Sequence, residues 1–182
     1  MSRIVLMDTE TTGLKPENGE RIIEICGMEM INRKLTGKVF HYYTEPDGRE
    51  IPEKVAKVHG ITNAFLTDKN KFKDIEPDLK NFINGDMCVF HNAEFDVKFI
   101  DSELNRMGAD WRIGGSIATM CTLRLAWFLD GVKFKKGYKL DNLMKKFKIE
   151  IPRDLHGAKV DVQILSEVYL ALTKPYFLGE WE

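Results

Sequence analysis

The sequence predicts one α/β domain, and three observations carry the prediction. Ile4-Val5-Leu6-Met7 is a continuous apolar run too short for a helix of its own, which fits a strand buried on both faces. Two further strand-like segments follow it across short turns, the pattern of an antiparallel meander. Beyond residue 70, apolar residues at helical spacing alternate with short apolar runs, so helices and strands are interleaved. A chain of 182 residues is the size of one domain with a single sizeable core.

Taken in order, the first strand gives way to Asp8 and Glu10, then to Thr11-Thr12-Gly13, where Gly13 allows a sharp exit. A polar loop with Pro16 and Gly19 leads to Ile22–Ile31, a second strand rich in Ile and Met. Residues 32–37 read as a turn and 39–44 as the third strand, closed by Pro46-Asp47-Gly48. Residues 52–57 form a short helix, stopped at Gly60. The helix over 74–84 has Pro77 near its first turn and Leu79, Phe82 and Ile83 on one face. Gly85-Asp86 lead into the short strand Met87–Phe90, and a helix over 93–107 follows with Asn92 as its N-cap. Residues 118–122 are a last short strand, succeeded by helices over Thr122–Leu129, 140–147 and 159–172.

With 43% hydrophobic and 30% charged residues the composition is globular, and a net charge of −1 means that a nucleic-acid partner is held by a local basic surface. Lys133, Lys135, Lys136 and Lys139 offer one, although a solvated face is the plainer reading of that loop. Cys26, Cys88 and Cys121 are far apart and sit among apolar neighbours, as reduced buried thiols of a cytoplasmic protein would. The sequence shows no signal peptide and no apolar run long enough to cross a membrane, so no membrane partner is expected.

The chemistry is carried by carboxylates. Asp8 and Glu10, two apart on an extended chain, point to the same side. Like charges so placed are costly unless a cation lies between them, so the pair is either a divalent-metal site or a solvated strand end. Asp96 shares a helical stripe with Phe99, Ile100 and Met107 and so faces the sheet, either as part of a site or capping a neighbouring loop. Asp161 shares a stripe with Ile164, Leu165, Val168 and Leu172. His156 precedes that helix on a loop that Gly157 lets bend back, free to sit beside the carboxylates without ligating, or to serve as a capping or surface histidine. Taken jointly, four carboxylates on one core would be strongly destabilising without divalent cations. Two hard cations held by Asp and Glu oxygens suit in-line displacement at phosphorus, with a nearby histidine to take the proton from the attacking water.

These motifs, in this order, resemble those of the DEDDh (DnaQ-like) 3′–5′ exonucleases, and most closely the epsilon proofreading subunits of bacterial replicative polymerases. Asp8-Thr9-Glu10-Thr11-Thr12-Gly13 resembles the first motif, His91-Asn92-Ala93-Glu94-Phe95-Asp96 the second, and His156-Gly157-Ala158-Lys159-Val160-Asp161 the third. Val58-His59-Gly60-Ile61-Thr62 and Leu140-Asp141-Asn142-Leu143 are similar to signatures between them. The resemblance implies a ribonuclease H-like fold, a mixed five-stranded sheet flanked by helices, over residues 1–174, with 175–182 as a short tail. It implies two divalent cations, Mg²⁺ or Mn²⁺, bound by Asp8, Glu10 and Asp161, with Asp96 reaching the second through water. His156 is then the general base. Thr11, His59, Asn92 and Phe95 join Asp8, Glu10 and Asp161 in meeting the terminal nucleotide.

The implied reaction is hydrolysis at the 3′ end of single-stranded DNA, releasing nucleoside 5′-monophosphates in replication proofreading, with the polymerase catalytic subunit as a further partner. An exoribonuclease trimming short RNA ends, or a polymerase-docking subunit with secondary catalysis, are the other readings. Val162 stands where the family usually has alanine, and Cys121-Thr122 where many relatives have Asp-Thr, which reads as structural. The tail carries Tyr176, Phe177, Leu178 and Trp181, large apolar residues expected to dock on the domain or a partner, but no clear sliding-clamp motif. On the family pattern the chain is therefore either trimmed or a stand-alone or unusual member.

Overall fold

A computed structural model describes residues 3–130 and 137–178, with side chains as far as 174. Its axis is β1 (Arg3–Thr11), flanked by β2 (Ile22–Ile31) on one side and β4 (Met87–Phe90) on the other. The full order is β3-β2-β1-β4-β5, with β3 at Lys34–Tyr43 and β5 at Thr119–Cys121. β1, β2 and β3 form the antiparallel meander, whereas β4 and β5 run parallel to β1, so the sheet is mixed as expected.

The helices are α1 (Glu53–His59), α2 (Asn63–Leu66), α3 (Phe72–Ile83), α4 (Ala93–Arg106), α5 (Thr122–Leu129), α6 (Leu140–Lys146) and α7 (Ala158–Leu178). Alternation along β1 sends Val5 and Met7 into a core with Phe82 of α3 and Phe99 and Ile100 of α4. Ile4 and Leu6 point the other way, onto Val162 and Leu165 of α7. Val162 is fully buried there, so α7 absorbs the larger side chain within its contact with the sheet. Ile164 and Val168, on the outer side of α7, pack against Ala126 of α5 and Leu143 of α6. No helix among the described residues is long and apolar enough to cross a membrane.

Several boundaries differ from the sequence reading, each for a local reason. β3 begins at Lys34 because Asn32 and Arg33 both take left-handed φ values, 48° and 65°, and turn the hairpin in two residues without a glycine. α3 starts early enough to place Pro77 inside the helix, on its exposed side, where the carbonyl it leaves unbonded faces water. Asn92 stands at the N-cap position of α4, where its carbonyl accepts the Phe95 N–H, but its side chain makes no capping bond: its backbone is left-handed at φ 65° and turns the chain between β4 and α4. α2 was not foreseen; Thr62 caps it by accepting the Phe65 N–H. Cys121 is half-buried, unlike the buried Cys26 and Cys88, and all three are free thiols. Lys133, Lys135 and Lys136, and the side chains of Tyr176, Phe177, Leu178 and Trp181, lie outside the described residues.

α4 is tied to the sheet by an ion pair that sequence pattern did not show. Arg21 donates from Nε and Nη2 to the two carboxylate oxygens of Glu103, each at 2.7 Å, and the Ile22 N–H donates to the same carboxylate at 3.2 Å. Glu103 is only 3% exposed. Replacing Glu103 by alanine leaves the guanidinium half-partnered in the core, and chemical denaturation should show a loss of about 3 kcal/mol.

Candidate active site

The site exists because β1 is longer than β4. β4 pairs with β1 only as far as Leu6, opposite Val89, so the segment from Asp8 to Thr11 continues with one edge unpaired. Asp96, in the first turn of α4, fills that edge: its Oδ1 accepts the Thr9 N–H at 3.0 Å and the Thr9 hydroxyl at 2.8 Å. Asp96 is 1% exposed, facing the sheet as its place in an apolar stripe predicts. Asp8 and Glu10 keep the parity of Ile4 and Leu6 and so face α7, where Asp161 projects from the first turn.

Glu10, His156 and Asp161 present ligand atoms within 4.8 Å of one another. His156 lies on the exposed loop before α7, with Nδ1 3.4 Å from Asp161 Oδ2. Gly157 is not among the glycines with positive φ, and a side chain there would meet only ordinary contacts, so the loop bends without needing its freedom. Gly13 is needed for space rather than for a turn, since a Cβ there would lie 2.6 Å from the Glu20 side chain, which Thr12 holds by a hydrogen bond.

The electrostatics follow from the crowding. Burial first, then Asp96, Asp161, Glu10 and Glu24, raise the Asp8 carboxyl well above the usual range. Burial, then Asp161 and Glu24, push Glu10 up to about 8. Burial raises Asp96 to about 7 against the hydrogen bonds from Thr9. Asp161 is also raised by burial although Arg153 and His156 oppose it, and its Oδ1 is buried without a hydrogen-bond partner among the described residues. An orphaned carboxylate oxygen among three further acids is a donor set for a hard divalent cation. The residues fit such an ion, with Glu10 and Asp161 offering ligand atoms within 4.8 Å of each other and Asp8 and Asp96 close enough to raise each other's and Asp161's charge cost.

Beside the carboxylates runs a cleft of about 650 Å³ whose walls include Glu10, Thr11, Leu14, Val58, His59 and Phe95. Of the residues expected to meet a substrate, Glu10, Thr11, His59 and Phe95 line it, whereas Asp8, Asn92 and Asp161 do not. His59 Nδ1 accepts the Ile61 N–H at 3.0 Å, which makes Nε2 the protonated nitrogen. That Nε2–H is buried without a partner among the described residues, a donor available to a ligand. Leu14, 81% exposed, stands at the cleft as a bare apolar side chain.

Two residues of the site escaped the sequence reading. Glu24 lies directly across from Glu10 in the β1–β2 pair, and its Oε2 accepts the Ala158 N–H at the start of α7 while Oε1 pairs with His41 Nε2 at 2.7 Å. The signal was present: an acid inside the apolar run of β2. Arg153 carried no signal, being one arginine in an irregular loop; its Nη2 donates to Asp161 Oδ2 at 2.5 Å. Thr122 bonds His91 Nδ1 at 2.9 Å and donates to the Phe90 carbonyl at 3.2 Å, the structural part expected for Cys121-Thr122. Burial holds the His91 ring neutral, its pKa pushed down to about 4.

Residues 5–169 match the family described as Exonuclease (RNase_T). The chain is 43% identical over 174 residues to a protein of Rickettsia prowazekii named DNA polymerase III subunit epsilon, covering 94% of this chain and 74% of that one. It is 40% identical over 179 residues to the protein of the same name from Salmonella typhimurium, covering 95% and 72%. Among solved structures it superposes on Exonuclease X in complex with 5′ overhanging duplex DNA with a TM-score of 0.73 at 25% identity, over 98% of this chain and 94% of that one. It also superposes on E. coli Exonuclease I in complex with a dT13 oligonucleotide with a TM-score of 0.81 at 17% identity, over 98% and 43%.

Glu10 and Asp96 titrate higher in the folded chain than in an unfolded one, where carboxyls titrate near about 4. Between those limits the native state binds the extra protons, so stability falls as pH rises from about 5 to about 8. In a chelating buffer the melting temperature should drop across that range, and a saturating divalent cation should flatten the slope. Asp8→Asn, which removes one of the crowded charges, should melt higher than wild type at the upper pH in chelator.

Proposed function

The chain belongs to the Exonuclease (RNase_T) family, and from that footing we propose that it hydrolyses the 3′-terminal phosphodiester of single-stranded DNA, releasing nucleoside 5′-monophosphates as a replication proofreading nuclease. The observation that carries this reading is the convergence of Asp8, Glu10, Asp96 and Asp161 with His156, a cluster that meets the cleft through Glu10. The names of the most similar relatives and the DNA bound by the structural neighbours support DNA as the substrate and the polymerase catalytic subunit as partner. Residues 1–174 form the nuclease unit in this reading, working in the cytoplasm.

Asp8, Glu10 and Asp161 would hold the cations, with Asp96 contributing to the second, and Mg²⁺ or Mn²⁺ suits their oxygen ligands. Bound there, such a cation supplies positive charge against the charge developing at phosphorus and makes the attacking water more acidic. His156 takes the water's proton at Nδ1, and the resulting imidazolium faces Asp161 Oδ2. His59 Nε2–H donates to the terminal nucleotide, Phe95 packs against it, and Thr11 lines the same wall. Asn92, turned outward before α4, reaches only a strand that lies along the rim.

The test uses matched DNA and RNA oligonucleotides labelled at the 5′ end, with Mg²⁺ or Mn²⁺. DNA should shorten from the 3′ end and RNA should not; preferential trimming of RNA would transfer the assignment to an exoribonuclease. Asp8→Ala or Asp161→Ala should abolish shortening in a folded protein, and near-wild-type activity in either would remove the metal assignment. His156→Ala should lower turnover by about two to four orders of magnitude while divalent-cation and single-strand binding persist. Loss of cation binding in that variant would make His156 a ligand instead.

A further inference from the structure

Arg153 is the one cation that touches the carboxylate cluster among the described residues, and the way it touches is specific. Its side chain is 8% exposed and spans three groups. Nη1 donates to Asp141 at the start of α6. Nη2 donates to Asp161 Oδ2 at 2.5 Å and lies 2.5 Å from His156 Nδ1. A guanidinium has no acceptor, so His156 Nδ1 must be the acceptor in that contact. The same Nη2 thus occupies the second Asp161 oxygen, beside the unpartnered Oδ1 that is open to a divalent cation, and the lone pair that a general base needs. The like charges also explain its position: Glu10, Asp96 and Asp161 repel one another, and the guanidinium offsets that repulsion from the edge of the cluster.

We propose that Arg153 is an internal latch, a placeholder cation that holds Asp161 and His156 in an inactive pairing and that divalent-cation binding must displace onto Asp141. The latch rests on the metal-site reading above. It makes two states of one side chain: bridged to Asp161 and His156, or held by Asp141 alone with Asp161 Oδ2 and His156 Nδ1 released. Displacing an ion pair of this burial costs free energy, so the latch lowers the apparent affinity for the cation. In return the carboxylates are never left without a counter-charge, and the histidine is free to accept a proton only once the cation is in place.

The test is Mn²⁺ binding by titration calorimetry, after chelation and dialysis, on the full chain and on Arg153→Ala and Arg153→Lys. Arg153→Ala should bind Mn²⁺ about tenfold more tightly than wild type, within the usual range of coupling between two ligands of one site. Arg153→Lys keeps the charge and loses the fork, and should fall between the two. Arg153→Ala should melt lower than wild type in chelator, and the difference should narrow with saturating Mn²⁺. Unchanged or weaker Mn²⁺ binding in Arg153→Ala overturns the latch and makes Arg153 a strut of the site. Tighter binding in Arg153→Ala with Arg153→Lys equal to wild type also overturns it, because the effect is then a general field and not this contact. Should Arg153→Ala fail to fold, the lysine variant against wild type decides alone. No Mn²⁺ binding by the wild-type chain would instead remove the metal-site reading on which the latch rests.

Discussion

Mutual repulsion of carboxylates beyond the end of β4 is the constraint that organises this molecule. Asp8 and Glu10 approach from the strand, Asp161 from α7, and Asp96 from the helix on the opposite face of the sheet. A fold that merely maximised burial would not place them there, since each carboxyl is driven above its ordinary pKa. Two packed cores, one on each face of the sheet, supply the stability that offsets this crowding. The surrounding polar groups divide the remaining work. Thr9 satisfies half of Asp96, and Glu24 fastens the first residue of α7 to β2, which sets where Asp161 can stand. The Arg21–Glu103 pair fixes α4 against β2 on the other side.

Most of the fold was legible because periodicity is a short-range property. β2, β4 and α5 fall at the residues the sequence indicated, and the α7 residues read on one stripe with Asp161 are all buried, Leu165 on the sheet and Ile164, Val168 and Leu172 against α5 and α6. The failures are places where local signals were outvoted. Asn32 and Arg33 turn a hairpin with no glycine between them, so the exposed start of β3 looked like loop. Asn92 has the residue type and the position of a cap, but its side chain makes no capping bond, because the chain must reverse there in a left-handed conformation.

The site was legible to the extent that acids in apolar patterns are anomalous. Asp96 and Asp161 stood out against the residues on their own stripes. Glu24 satisfied the same criterion inside β2 and was passed over, since the strand around it was read for its Ile and Met content. Arg153 and Glu103 could not be found this way. Each acquires its meaning from a partner on another element, Asp161 on α7 for the one and Arg21 before β2 for the other. Pairings across tertiary contacts leave no trace in the spacing of a single chain.

The site draws on segments from opposite ends of the sequence, and this has a consequence for synthesis. β1 leaves the ribosome early, whereas the loop bearing Arg153 and His156 and the helix bearing Asp161 emerge after most of the sheet has been made. Asp8 and Glu10 therefore spend that interval without the partners they require. A nascent or truncated product ending before the loop that bears Arg153 and His156 carries three of the four clustered acids, Asp8, Glu10 and Asp96, and lacks both His156 and Asp161. On the proposed assignment of the site, such a chain cannot hydrolyse nucleic acid however well its early strands have formed. Hydrolytic capacity arrives with the docking of the final helix, so completion of folding itself guards against indiscriminate cleavage by fragments of the protein.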